Sequence, residues 1–145
     1  MKGVIRLVKV FAGHKGSGKT KKMIHLANDM VETADGSIVF INKNHRLMYD
    51  LKYQIRVVCM EDYEHITNID EYIGFIYGII SSDHDIEVIF IDGILHHKDV
   101  HIPDLGEFFE RLRNISKLYD LDFVVSVSAD LDELGDIFEG CEMLD

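Results

Sequence analysis

The chain has 145 residues, is 47% hydrophobic and 28% charged, and carries one proline, Pro103, a globular composition that argues against a disordered or fibrous protein. Its formal net charge of -11 would repel a polyanion, and no segment concentrates lysine and arginine strongly enough to neutralise a run of phosphates, so nucleic acid is not expected as the main partner. Two cysteines, Cys59 and Cys141, are too few for a disulfide framework, and no apolar run reaches the ~20 residues of a membrane span, so a cytoplasmic chain with free thiols and no membrane insertion is expected.

No repeat, low-complexity tract or linker rich in Pro, Gly or Ser divides the chain, so 1–145 reads as a single domain. Val4 to Phe11, rich in β-branched residues, predicts a first strand. The start Met1 to Ile5 belongs to it and is no secretion signal, because Arg6 and Lys9 interrupt the apolar run. After a glycine-rich loop, Met23, Ile24, Ala27, Met30, Val31 and Ala34 recur at helical spacing, and Asp35-Gly36 predicts a left-handed stop. Ser37 to Ile41 is a continuous apolar run, the pattern of a strand covered on both faces. Arg46 to Gln54 fits neither period, and Ile55 to Met60 reads as a further strand.

Asn68 with Glu71 three residues on predicts a capping box, opening a helix that buries Tyr72, Ile73, Ile76, Tyr77 and Ile80. Glu87 to Asp92 is the next strand. Pro103 and Asp104 open a helix whose inner face is Leu105, Phe108, Phe109, Leu112 and Ile115. Phe123 to Val127 is the last strand, and Asp130 with Glu133 begins a short helix through Leu134, Ile137 and Phe138. This alternation predicts an α/β three-layer sandwich around a mostly parallel, five-stranded sheet.

The loop between the first strand and helix reads Gly13-His14-Lys15-Gly16-Ser17-Gly18-Lys19-Thr20. Glycines at 13, 16 and 18 let a backbone turn with its amides pointing inward, which a Cβ would obstruct. Lys19 can then reach the β- and γ-phosphates, Thr20 can place its hydroxyl on Mg²⁺, and the helix start adds its positive dipole end. Lys15, Lys21 and Lys22 complete a basic cluster suited to a small polyphosphate. On these residues the chain resembles the P-loop NTPase superfamily. The strand Val88-Ile89-Phe90-Ile91-Asp92 similarly resembles the Walker B element, whose carboxylate supports Mg²⁺. The resemblance implies P-loop architecture, a nucleoside triphosphate held by Gly13 to Thr20, Lys19 and Asp92 as catalytic residues, and Mg²⁺ shared by Thr20 and Asp92.

Two departures bear on activity. The additional-strand type of this superfamily often carries Glu after the Walker B Asp, and here Gly93 follows. RecA-like relatives place Glu after the second strand, where this chain has Asn42-Lys43. Glu61 and Asp62 are the remaining carboxylates near a strand end. Slow intrinsic hydrolysis is therefore expected, with a protein partner as one way to complete the site. Ser126, Ser128 and Asp130 resemble a polar γ-phosphate sensor, with Ser128 taken as the participant. His96, His97, His101 and Asp99 could ligate a metal, but they read rather as a loop bordering the nucleotide. Asn42-Lys43-Asn44-His45 lacks the Asp of a guanine-recognition tetrad and falls too early, so ATP is favoured over GTP.

Thr20-Lys21-Lys22 and Leu47-Met48-Tyr49-Asp50 give a finer similarity to short bacterial P-loop proteins named as twitching-motility ATPases. The expected function is a Mg²⁺-dependent ATPase or nucleotide switch. A small-molecule or nucleoside kinase, and a non-catalytic module gated by nucleotide, are the alternatives.

Overall fold

The computed structural model describes residues 6–145, so Val4 and Ile5 of the expected first strand lie outside the described residues. The elements run β1 (Val8–Gly13), α1 (Lys19–Val31), β2 (Ser37–Asn42), β3 (Arg56–Cys59), α2 (Ile69–Ser82), β4 (Ile86–Ile91), α3 (Leu105–Tyr119), β5 (Asp122–Ser128), α4 (Leu131–Leu134) and β6 (Glu142–Leu144). The strands form one sheet in the order β3-β2-β4-β5-β1-β6, and every pairing is parallel.

Among the described residues the sheet has six strands, not the expected five. The extra one, β6, is three residues long and has no β-branched run, so no pattern in the sequence marks it. It exists because the free edge of β1 offers a ladder, on which Lys9 faces Glu142 and Phe11 faces Leu144.

Alternation along the central strands divides the core into two layers. Ile38, Phe40, Val88, Phe90 and Val124 pack with Met23, Ile24 and Ala27 of α1. There Phe40 and Phe90 stack with centroids 5.4 Å apart. Val39, Ile41, Ile89, Ile91, Phe123 and Val125 turn to the opposite layer, with α2 and α3. Strands this thoroughly buried need apolar residues on both faces, which explains their unbroken hydrophobic runs.

The helix periods mark most of the buried faces. The five expected residues of α3 are all buried, and the Asn68–Glu71 capping box forms with both of its hydrogen bonds. In α2, Ile69 and Ile79 join the buried stripe, whereas Tyr77 is 42% exposed at its margin, its ring edge-on to Tyr119. Helix α4 ends at Leu134, so Ile137 and Phe138 pack from the turns beyond it.

Gly36 is not the left-handed stop expected of it. Helix α1 ends earlier, with Glu32 as a right-handed C-cap. Gly36 is required instead by close approach, since a Cβ there would lie 2.1 Å from the Asp85 carbonyl oxygen. The segment between β2 and β3 contains one 3₁₀ turn, Met48–Asp50, entered through Leu47 at φ 61. Asn28 of α1 pins it, donating to Asp50 O and accepting from Lys52 N. Among the described residues no helix is long and apolar enough to cross a membrane.

The order of strands sets up the site. β5 separates β1, which leads into the glycine loop, from β4, which leads to Asp92. Because the chain crosses from β1 over β5 and β4 to reach β2, a crevice opens at the carboxyl ends of the strands.

Candidate functional site

The loop between β1 and α1 depends on backbone that only glycine adopts freely. Gly16 and Gly18 both have φ 84, and Gly18 is the N-cap of α1. Lys19, the first helical residue, is 8% exposed. Its ammonium turns back into the loop, donating to Gly13 O at 3.1 Å, His14 O at 2.6 Å and Ser17 Oγ at 3.2 Å. Burial holds its pKa below the ordinary value; the charge of Lys43 acts in the same direction, and Asp92 opposes both. The loop is tied to the end of β5 twice: Ala129 N donates to Gly13 O at 3.1 Å, and His14 Nδ1 lies 2.6 Å from Asp130 Oδ1.

Asp92 follows β4 directly and is 3% exposed. Its backbone N–H still donates to Ile41 O of β2 at 2.9 Å, so the sheet fixes where its carboxylate points. Thr20 Oγ1 lies 3.2 Å from each carboxylate oxygen. Ser126 Oγ donates to Oδ1 at 2.7 Å and accepts from Gly93 N at 3.2 Å. The buried charge is thus held by hydroxyls from two elements, α1 and β5, which offsets its desolvation.

The three hydroxyl or carboxylate residues of the expected sensor region separate. Ser126 is buried on Asp92, Ser128 is exposed and borders a cleft, and Asp130 pairs with His14. Ser126 reaches Asp92 because β5 lies beside β4, and alternation places it on the opposite face from Val125 and Val127.

Gly93 has a specific physical basis. Its φ is +80, and a Cβ there would stand 2.7 Å from Lys43 Cδ and 2.8 Å from Lys43 Cβ. The Lys43 stem therefore occupies the space that a side chain at 93 would need. Asn42, the neighbour of Lys43, is buried, and its amide N–H is engaged by Arg46 O at 3.0 Å, bracing the loop that follows.

Lys15, Lys43, Arg46 and His96 border a cleft of 690 Å³ beside the loop, where among the described residues Glu61 is the only lining carboxylate. In a chain of net charge -11, Lys15, Lys43 and Arg46 gathered here mark an anion-attracting surface. The histidines after β4 do not act together. His96 reaches the cleft, while His97 turns inward, its ring 5.0 Å from that of Tyr72 and its Nδ1 3.2 Å from Ile66 O. Burial holds the His97 pKa below its ordinary value. His101 belongs to a cap with Asp104. Among the described residues, these histidines and Asp99 form no group of three with convergent ligating atoms.

No protein-family model and no curated protein sequence matches the chain. Among solved structures it is similar to the flagellar accessory protein FlaH from Methanocaldococcus jannaschii, at 15% identity and a TM-score of 0.57. The similarity covers 90% of this chain and 63% of that one, so the chain spans less than two thirds of that protein's length. At this identity the likeness is one of fold: a parallel α/β sheet flanked by helices.

Proposed function

We propose that the chain binds ATP with Mg²⁺ in the Gly13 to Thr20 loop and acts as a nucleotide switch or an ATPase of slow intrinsic turnover. The reading rests on the convergence of Thr20 Oγ1 on both Asp92 oxygens, 3.2 Å from each, beside a lysine embedded in a glycine loop. A hydroxyl and a carboxylate are hard oxygen donors and fit Mg²⁺. When bound, that ion neutralises phosphate charge.

The chain's own residues supply the rest. Lys19 exchanges its three loop acceptors for phosphate oxygens and keeps its charge satisfied. The amides of the loop and the start of α1 face the anion. Ser126 holds Asp92 in place. Hydrolysis is slow because no carboxylate stands at 93 or at 42–43 to receive a proton from water, and the Asn42 amide N–H is committed to Arg46 O. ATP is preferred to GTP because the guanine tetrad is absent. The finer resemblance to twitching-motility ATPases is carried by sequence motifs alone.

A fluorescent ATP analogue titrated into wild type and Lys19→Ala tests the reading. Weakened binding in the variant supports it, and equal affinity overturns it.

The cleft favours a second reading, phosphoryl transfer to a small acceptor. Its 690 Å³ is within the range of small-molecule pockets, and Glu61 could accept a proton there. ADP release that depends on an added acceptor, with phosphorylated product, would select the kinase.

A further inference from the structure

We propose that His45, Cys59 and Glu61 form a site for a zinc-class divalent ion, separate from the Thr20–Asp92 pair. One ligating atom from each residue lies within 4.8 Å of the others. The sheet determines this meeting: Cys59 ends β3, in register with Asn42 at the end of β2, so the segments leaving the two strands start side by side. Glu61 lies two residues beyond Cys59 in a 3₁₀ turn, and His45 three beyond Asn42.

The loop carrying His45 is already braced. His45 N donates to Glu61 Oε1 at 2.8 Å, Arg46 N to Asn44 Oδ1 at 2.9 Å, and the Asn42 amide to Arg46 O at 3.0 Å. Asp62 Oδ1 lies 3.1 Å from His45 Nε2 and helps to orient the ring. Neighbouring ligands round a tetrahedral ion with bonds of 2.1 Å stand about 3.4 Å apart, which the exposed His45 and Glu61 side chains reach by rotation.

The donor set decides the class of ion. A thiol sulfur with an imidazole suits zinc and its softer relatives, whereas the Thr20–Asp92 pair offers oxygen alone and suits magnesium. Zinc would tie the loop after β2 to the turn after β3, fixing the cleft wall that includes Lys43 and Arg46. This inference does not depend on the nucleotide reading.

Cobalt(II) titrated into the untagged chain is the test. Wild type is expected to bind one equivalent with a thiolate-to-cobalt charge-transfer band in the near ultraviolet, reversed by one equivalent of zinc. Cys59→Ser should lose that band, and His45→Ala should weaken cobalt binding at least tenfold. Lys19→Ala should keep the band, which separates this site from the nucleotide loop. Circular dichroism confirms that each variant is folded. No band in wild type, or an unchanged band in Cys59→Ser, would overturn the assignment.

Discussion

Lys43 lies across Gly93, its Cδ 2.7 Å from where a Cβ of residue 93 would stand. Gly93→Ala should therefore lose about 1–3 kcal/mol of stability through the positive φ and the displaced lysine. Chemical denaturation measures this directly. For the same reason Gly93→Glu should not restore fast hydrolysis, since the added carboxylate cannot enter without expelling Lys43. Rapid turnover in Gly93→Glu would show that the space is available.

Ser126 makes the shortest hydrogen bond to Asp92, 2.7 Å and buried. Hydrogen bonds to charged groups contribute about 1.5–3 kcal/mol. Removing the hydroxyl in Ser126→Ala should cut Mg²⁺-dependent nucleotide affinity about tenfold, with a smaller effect in the absence of Mg²⁺. Ser128→Ala, on the exposed end of β5, should alter that Mg²⁺ dependence little. Fluorescence titrations at several Mg²⁺ concentrations compare the two.

Lys43 borders the cleft beyond the loop and depresses the pKa of Lys19. Lys43→Met keeps the stem that packs on Gly93 and removes the charge. ATP binding should weaken about tenfold while ADP binding holds, as expected of a cation that meets the terminal phosphate. Equal losses for the two nucleotides would place Lys43 elsewhere.

His97 gives a pH-dependent contribution to stability. Burial lowers its folded pKa from the ordinary 6.5, so in the window below 6.5 the unfolded chain binds a proton that the native ring does not. Stability then rises with pH through that window and falls as the pH drops. His97→Gln should lose this part of the slope between about pH 5 and pH 7, although the variant is less stable throughout. Identical slopes from denaturation at each pH would contradict this.

The parts of the fold readable from the sequence are those in which one periodic face meets one core. The stripe of α3 and the apolar runs of β2, β4 and β5 are of this kind, as is the Asn68–Glu71 cap. Long-range requirements were not legible. Gly36 reads as a helix stop, because nothing near it in sequence reveals the Asp85 carbonyl against its backbone. β6 owes its existence to an edge that only the assembled sheet presents.

Within the site, Thr20 and Asp92 are 72 positions apart, yet each follows from its own local motif, a loop or a strand end. Lys43 and Ser126 have no such motif. Their places depend on strand order, with β2 and β5 flanking β4. The trio His45, Cys59 and Glu61 is hidden for the same reason, since it requires β2 and β3 to be neighbours.

Calorimetric titration of ATP, with and without Mg²⁺, into wild type and Asp92→Asn tests most directly whether the loop and Asp92 form one metal-assisted nucleotide site. Wild type should bind one ATP per chain, about tenfold more tightly with Mg²⁺. Asp92→Asn, checked for native unfolding behaviour, should bind with no Mg²⁺ enhancement. An absence of ATP binding in wild type, or the same Mg²⁺ enhancement in Asp92→Asn, would contradict the account.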